Sequence, residues 1–438
     1  MSNITYIGKT KWRDSNQLFG IKDKDRLGHL YVIGKTGTGK STLLEQMAIS
    51  DIERGNGLCI IDPHGDIAEH ILHYIPKHRI PDVIYFNATD SEHFIAFNPL
   101  ATNASQQSDN LITSNLISTF KKIWSESWGP RLEHILRYSI LTLRRYPNAT
   151  LLDIPLLLTD AFFRQKVLNY VTDTSIIDFW THEFDSYTAQ LKSEAITPVL
   201  NKIGILLASL PIRNIIGQPK SAFVMQDALD QKKILICNLS KGQIGEDAAS
   251  ILGSMLVTAI QTAALFRASY QPEDRTPFYL YIDEVHSFVT LSLADVLAEA
   301  RKYGLSLFLS HQYSEQLHEK IRAAILGNVG TLICFRIGAA DARYLAPEFS
   351  PVFDETDLVQ LPKYMMYLKL MIDGATSKPF SATTLPIQEP VHSYKKEIVI
   401  NSRRRYCLDK SALAVMGEKK QEQIVKNKEM QQSLFEHL

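Results

Sequence analysis

The stretch Gly34-Lys35-Thr36-Gly37-Thr38-Gly39-Lys40-Ser41 carries the densest chemical information in the sequence. It fits G-x-x-x-x-G-K-[ST], the pattern of a loop that cradles phosphates. Gly34, Gly37 and Gly39 admit backbone angles closed to other residues, so successive N–H groups can converge on an anion at an unsatisfied helix N-terminus. Lys40 offers the β- and γ-phosphates a point charge, and the Ser41 hydroxyl suits a Mg2+ shell. With Thr42 closing it, the expected nucleotide-binding set is Gly34 to Thr42, and the expected ligands are ATP and Mg2+. The bland alternative is a Gly-rich surface turn.

A second constellation is Phe278-Tyr279-Leu280-Tyr281-Ile282-Asp283-Glu284, an apolar strand ending in two carboxylates. Open α/β sheets bind ligands beyond the carboxyl ends of their strands, so Asp283 is expected to hold the metal shell and Glu284 to polarise a water facing the γ-phosphate. The alternative is an acidic pair opening a loop. Gln312 ends the next strand, at a level where its amide can touch the γ-phosphate or the attacking water. Arg301 has Leu297, Ala298, Gly304 and Leu305 at its helical neighbour positions, none of which can pair with it. It serves either a helix C-terminus or a neighbouring subunit's phosphate. Arg336 is the second candidate for that role, against a buried ion-paired arginine. His286 follows the carboxylates, but neither H-E-x-x-H nor C-x-x-C occurs and no zinc site is expected. His64 reads as a turn residue near the phosphates.

The elements that must position these groups are legible in the hydrophobic pattern. Leu30 to Ile33 is a short β-prone run before the loop, and Thr42 to Ala48 is rich in helix formers. Gly57 to Asp62 and Val83 to Phe86 read as buried strands, with Pro63-His64-Gly65-Asp66 as the turn ending the first. From about 111 to 231 the apolar residues take helical spacing: Ile112, Leu116, Phe120, Ile123; Leu132, Ile135, Leu136, Ile140, Leu143; Ile196, Val199, Leu200, Ile203, Leu207. Strand character returns at Lys233 to Asn238, at Phe278 to Val285, at Leu305 to Ser310 and at Thr331 to Ile337. Helices are expected at about 247–266, 292–303 and 314–327. Tyr367 to Ile372, Asp373-Gly374 and Pro379 to Leu385 read as a hairpin. The expected organisation is an N-terminal arm or small strand at 1–28, a RecA-like α/β core at 29–104 and 232–390, an inserted all-α domain at 105–231, and a polar tail at 391–438. That tail ends in a Lys-, Glu- and Gln-rich helix candidate.

Composition bounds the partners. The chain has 438 residues, 47 Lys plus Arg and 47 Asp plus Glu, so net charge says nothing about nucleic acid and any basic surface is local. The clusters Lys395-Lys396 and Arg403-Arg404-Arg405 either touch DNA phosphates or belong to a solvated tail. No apolar run of membrane-spanning length and no leader pattern stands out, so a cytoplasmic protein is expected. Cys59, Cys237, Cys334 and Cys407 are far apart and read as reduced core residues.

The P-loop, the Asp62-Pro63-His64-Gly65-Asp66 turn, Asp283-Glu284, Ala300-Arg301-Lys302-Tyr303-Gly304-Leu305 and Ser310-His311-Gln312 occur in that order. In this the chain resembles the HerA/FtsK superfamily of ring motors, over about 29–390. Its inserted helical segment resembles that of the conjugative coupling proteins of type IV secretion, the TraD and TrwB group. It departs from them in showing no N-terminal membrane span. The resemblance implies a homo-hexameric ATPase that pumps DNA, with Lys40, Ser41, Asp283, Glu284, Gln312 and the finger Arg301 in matching positions. A relaxase or nuclease partner follows from the same resemblance. The alternative within it is a HerA-like ring that hydrolyses ATP to position a partner nuclease or other effector.

Overall fold

The computed structural model of the chain describes residues 3–11, 16–101 and 106–409. Its strands among these residues are Ile4–Thr10 (β1), Leu18–Lys22 (β2), Leu30–Ile33 (β3), Gly57–Asp62 (β4), Val83–Asn87 (β5), His93–Ile95 (β6), Ile234–Asn238 (β7) and Phe278–Ile282 (β8). Leu305–His311 (β9), Thr331–Cys334 (β10), Met365–Lys369 (β11), Met371–Ile372 (β12), Ala375–Thr376 (β13), Phe380–Thr384 (β14) and Cys407–Asp409 (β15) follow. An 11-stranded sheet runs in the order β2-β1-β14-β11-β10-β3-β9-β8-β4-β7-β5. From β10 to β5 every neighbouring pair is parallel. On the other side β11, β14, β1 and β2 extend the sheet antiparallel.

Every residue of β3, β4, β7, β8 and β9 is buried. Such continuous apolar runs belong to parallel strands covered on both faces. Alternation along each strand divides them between two cores. Tyr31, Ile33, Cys59 and Ile61 pack with Ile112, Leu116, Phe120 and Ile135. Leu30, Val32, Leu58 and Ile60 pack with Leu43, Leu44 and Met47 of the P-loop helix Lys40–Glu53. The P-loop helix and the helical segment therefore cover opposite faces of one sheet.

Between β6 and β7 the described residues are helical and irregular, without a strand. The helices Gln106–Ile123, Pro130–Leu143 and Ala189–Ala208 carry the spacing expected of them. Cys59, Cys237 and Cys334 are buried in β4, β7 and β10. Among the described residues one unbroken helix, Glu246–Ser269, is long and apolar enough to cross a membrane, and 78% of its apolar window is buried within the protein. It is a core helix.

Three expectations need correction. Residues 4–22 are no loose arm: β1 and β2 are strands of the main sheet. The strand expected to reach Ile337 stops at Cys334, because the chain then turns so that the Arg336 carbonyl accepts from Lys35 N–H at 2.8 Å. The polar segment after Val391, expected as a solvated tail, instead forms a docked helix, Lys395–Tyr406. Ser402 Oγ accepts from Tyr85 N–H of the outer strand β5 at 2.9 Å. Lys395 pairs with Glu69 and Arg403 with Asp90, each at 2.6 Å, so two of the five clustered basic side chains are paired inside the chain. The Lys-, Glu- and Gln-rich helix candidate lies outside the described residues. The expected hairpin is β11 with β14, capped by β12 and β13 around Asp373-Gly374. Both turn residues have positive φ, 51° and 81°, as a tight hairpin demands.

Candidate nucleotide site

β3 is the point where the chain changes direction across the sheet: β9 lies on one side of it and β10 on the other. A crevice opens beyond the carboxyl ends of strands at such a point. The P-loop fills it. Gly37 and Gly39 have φ of 74° and 126°, and a β-carbon on Gly34 would stand 2.6 Å from Phe335 Cβ. Gly39 is the N-cap of the P-loop helix, whose first turn has neither a side-chain cap nor an acidic residue. Its N–H groups are thus left for an anion, and nothing repels one. The loop is held in shape by its neighbours: Gly34 N–H donates to His311 O at 3.3 Å, and Thr38 O accepts from Tyr364 N–H at 2.8 Å.

Lys40 is buried, and Nζ donates to Gly34 O at 2.6 Å and Lys35 O at 3.3 Å. Burial lowers its pKa, and the charges of Glu284 and Asp283 work in the opposite direction. Desolvation is thereby set against two carboxylates that β8 delivers to the same crevice. Ser41 is exposed at the start of the helix and Thr42 half-buried beside it.

Asp283 and Glu284 are each only 5% exposed. Asp283 Oδ1 accepts from Ser310 Oγ of β9 at 2.6 Å, and burial raises its pKa. Glu284 adopts a left-handed backbone, φ 49° and ψ 57°. A non-glycine residue held there is strained, and such strain collects at functional sites. Its effect is to turn the side chain off the strand direction. Glu284 Oε1 accepts from Gln312 Nε2 at 2.7 Å, and Gln312 Oε1 accepts from Thr36 Oγ1 at 2.9 Å. One hydrogen-bonded chain therefore runs from the P-loop through Gln312 to the carboxylate. Glu284 Oε2 is buried without a partner. His286 Nδ1 is 3.5 Å from it, and burial pushes that imidazole down to about 4, so it stays neutral.

These residues fit a nucleoside triphosphate with a divalent cation. The uncapped helix start and Lys40 suit the phosphates; the two adjacent buried carboxylates Asp283 and Glu284, the latter with an orphaned oxygen, suit a cation. Among the described residues no group of three or more His, Cys, Asp and Glu is arranged as a metal site of its own. A shell shared between Ser41, Asp283 and the phosphates is consistent with that. Asp62 is not part of this set. Its oxygens are occupied by His64 N–H at 2.8 Å and Ala68 N–H at 2.9 Å, so it caps the turn after β4, and His64 is exposed there.

Lys40, Asp283, Glu284 and Gln312 come together; Arg301 does not join them. It precedes β9, whereas Gln312 follows it, and a seven-residue strand spans roughly 20 Å. Arg301 instead lines a cavity of about 300 Å3 with Gly28, His29, Gly330 and Met371, at the other end of the sheet. It makes no ion pair among the described residues, and neither does Arg336, which is exposed beside the P-loop. Two residues escaped the sequence analysis. Lys122, on the helix Gln106–Ile123, donates to Ser287 O at 2.6 Å just beyond Glu284, and burial pushes it down to about 7. Tyr364 touches the P-loop. Neither lies in a motif, and only the fold reveals them.

The profile of the family described as the type IV secretion-system coupling protein DNA-binding domain matches residues 20–364. The type 4 coupling protein DotL of Legionella pneumophila is 21% identical over 396 residues, a match covering 76% of this chain and 50% of DotL. The chain thus spans about half the length of that curated relative. Among solved structures, the bacterial conjugative coupling protein TrwB in an unbound form has a TM-score of 0.60 at 18% identity, covering 84% of this chain and 88% of TrwB. TrwB in complex with ADP and Mg2+ gives the same score and identity over 84% and 87%. VirB4 of Thermoanaerobacter pseudethanolicus reaches 0.60 at 13% identity over 88% and 97%. These likenesses establish a P-loop α/β fold of the RecA-like kind, and the profile match spans most of the sequence: the chain belongs to the family of type IV secretion-system coupling protein DNA-binding domains.

Proposed function

We propose that this protein is a Mg2+-dependent ATPase whose turnover drives DNA translocation by a ring of its copies. The observation that carries the chemistry is the hydrogen-bonded chain Thr36–Gln312–Glu284, which ties the phosphate loop to a buried carboxylate. In the proposed reaction a water oxygen attacks the γ-phosphorus, Glu284 accepts the water proton, and the bond from phosphorus to the bridging oxygen breaks with its electron pair leaving on ADP. Lys40 and the helix N–H groups stabilise the phosphate charge, and Gln312 orients both the water and Glu284. Ser41 and Asp283 would hold a divalent cation, which would supply neutralisation of the phosphate charge.

Arg301 is proposed as a finger acting on a neighbouring copy. Its support is the absence of an ion pair and its position before β9, out of reach of its own P-loop. A homo-hexamer matches the family resemblance, as does DNA as the substrate of the motor; a relaxase or nuclease is the partner class it points to. The test is ATP turnover measured alone, with single-stranded DNA and with duplex DNA. Stimulation by either form is expected. Turnover that no DNA changes would refute translocation, and no turnover at all would refute the ATPase.

A further inference from the structure

Tyr364 holds a position that its packing does not explain. Its backbone is left-handed, φ 66°, which disfavours a residue bearing a large side chain. Yet the residue is 44% exposed, so burial of the ring offsets little of that strain. Strain with no packing return points to a functional constraint. The conformation is fixed by hydrogen bonds on both sides: Tyr364 N–H donates to Thr38 O at 2.8 Å, and Tyr364 O accepts from Thr384 N–H at 3.1 Å. The ring lies against the cradle. A β-carbon on Gly39 would lie 3.1 Å from Tyr364 Cδ1 and 3.4 Å from its Cα.

The order of the strands gives the direction in which a nucleotide extends. Glu284 and Gln312 follow β8 and β9, so the terminal phosphate faces that side of β3. The ribose and base must leave the cradle on the other side, over β10 and β11. Because β11 runs antiparallel to β10, its beginning lies at the same end of the sheet as the P-loop, and Tyr364 immediately precedes it. An exposed aromatic ring, rigidly tied to the P-loop, thus stands where the base must go. We infer that Tyr364 is the platform on which the nucleotide base stacks, an inference that rests on the nucleotide reading of the P-loop. The Lys363 ammonium stands 4.8 Å from the ring centroid, and the exposed remainder of the ring is what a base meets. Stacking tolerates any base, since every base has a π-face, so the platform raises affinity for ATP and GTP alike.

The test uses the full chain with Tyr364→Asn and Tyr364→Phe, titrated calorimetrically with ATP, GTP and inorganic tripolyphosphate. Asparagine tolerates positive φ and removes the ring without adding backbone strain. Tyr364→Asn should weaken ATP and GTP binding about 5- to 150-fold, the range of one base–aromatic stack, and leave tripolyphosphate unchanged. Tyr364→Phe should bind all three as the parent does. Unchanged tripolyphosphate binding also reports an intact P-loop in the variant. Equal weakening of ATP and tripolyphosphate would overturn the platform and leave Tyr364 as a support for the loop; unchanged ATP binding would overturn it too. A parent chain that binds none of the three would instead sink the nucleotide reading, and the platform with it.

Discussion

Replacing Glu284 with glutamine separates binding from chemistry. The side chain is nearly fully buried, with Oε1 taking a hydrogen bond from Gln312 Nε2 at 2.7 Å and Oε2 taking none. An amide of the same shape keeps its carbonyl oxygen toward Gln312 and turns its NH2 toward His286 Nδ1, which is 3.5 Å from the present carboxylate. That imidazole is neutral near pH 7, since burial pushes it down to about 4; its Nε2 faces Gln316 Nε2 at 3.3 Å, so Nδ1 accepts the new donor once the Gln316 amide turns its unpartnered oxygen to Nε2. Stability should therefore change by no more than about 1 kcal/mol, the net worth of one hydrogen bond. Lys40 loses the stronger of the two charges that offset its desolvation but keeps Asp283, so phosphate binding should persist. The proton acceptor is gone. General-base catalysis contributes about 10^2- to 10^4-fold, or roughly 3 to 5 kcal/mol of barrier, so single-turnover hydrolysis should fall by that factor. ATP affinity, titrated on the same sample, should stay within about threefold, as uniform binding is untouched. Hydrolysis at the parent rate would show that Glu284 is not the base; affinity collapsing together with rate would show that it shapes the pocket.

Lys40→Ala should abolish measurable ATP binding in calorimetry, because the phosphates lose the one buried cation of the loop; unchanged affinity would refute its role. Arg301→Ala should bind ATP normally yet lose about 10^3- to 10^5-fold in rate, the usual worth of a finger. Mixing it with Lys40→Ala should restore some hydrolysis if the arginine acts across a subunit boundary, and labelled chains that exchange without recovery would shift the assignment to Arg336. Acid should destabilise the fold through His29, whose Nδ1 accepts from Leu307 N–H and whose Nε2 faces Leu297 O, each at 3.2 Å. Burial, with Arg301 nearby, lowers it from 6.5 to about 4. The unfolded chain then binds the extra proton first, so stability is complete above 6.5 and about 3 kcal/mol is lost as pH falls toward 4. Denaturant titrations across that window should show the slope in the parent chain and a shallower one in His29→Asn, which suits the positive φ of 63°.

The sequence made the catalytic strands legible because their chemistry is local. β3 and β4 have the bounds their apolar runs suggest, and the P-loop and Asp283-Glu284 sit at strand ends as open-sheet chemistry requires. The turn at Asp373-Gly374 was readable for the same reason, since two adjacent residues specify it. What escaped depends on distant parts of the chain. The left-handed backbone of Glu284 has no signature, because nothing about a glutamate announces positive φ. Lys122 meets Ser287 across 165 residues and Tyr364 meets Thr38 across the whole core, so neither contact leaves a local period. The helix Lys395–Tyr406 was misread since its polar composition is that of a solvated segment, with only Ile398 and Ser402 buried. Its docking comes from those two residues, one in the core and one on the β5 backbone, and from ion pairs that composition cannot show.

That helix sets a timetable for synthesis. The outer strand β5 is complete early, but Ser402, which occupies its Tyr85 N–H, is 317 residues further along. At roughly 5 to 20 residues per second the gap lasts on the order of 15 to 60 s, during which the strand edge stands bare to any other chain. The sheet's outer margin is therefore sealed only after residue 402 has been made, and a chain ended at residue 390 would keep that margin open for life. Such a chain should retain its P-loop and still be the one that aggregates.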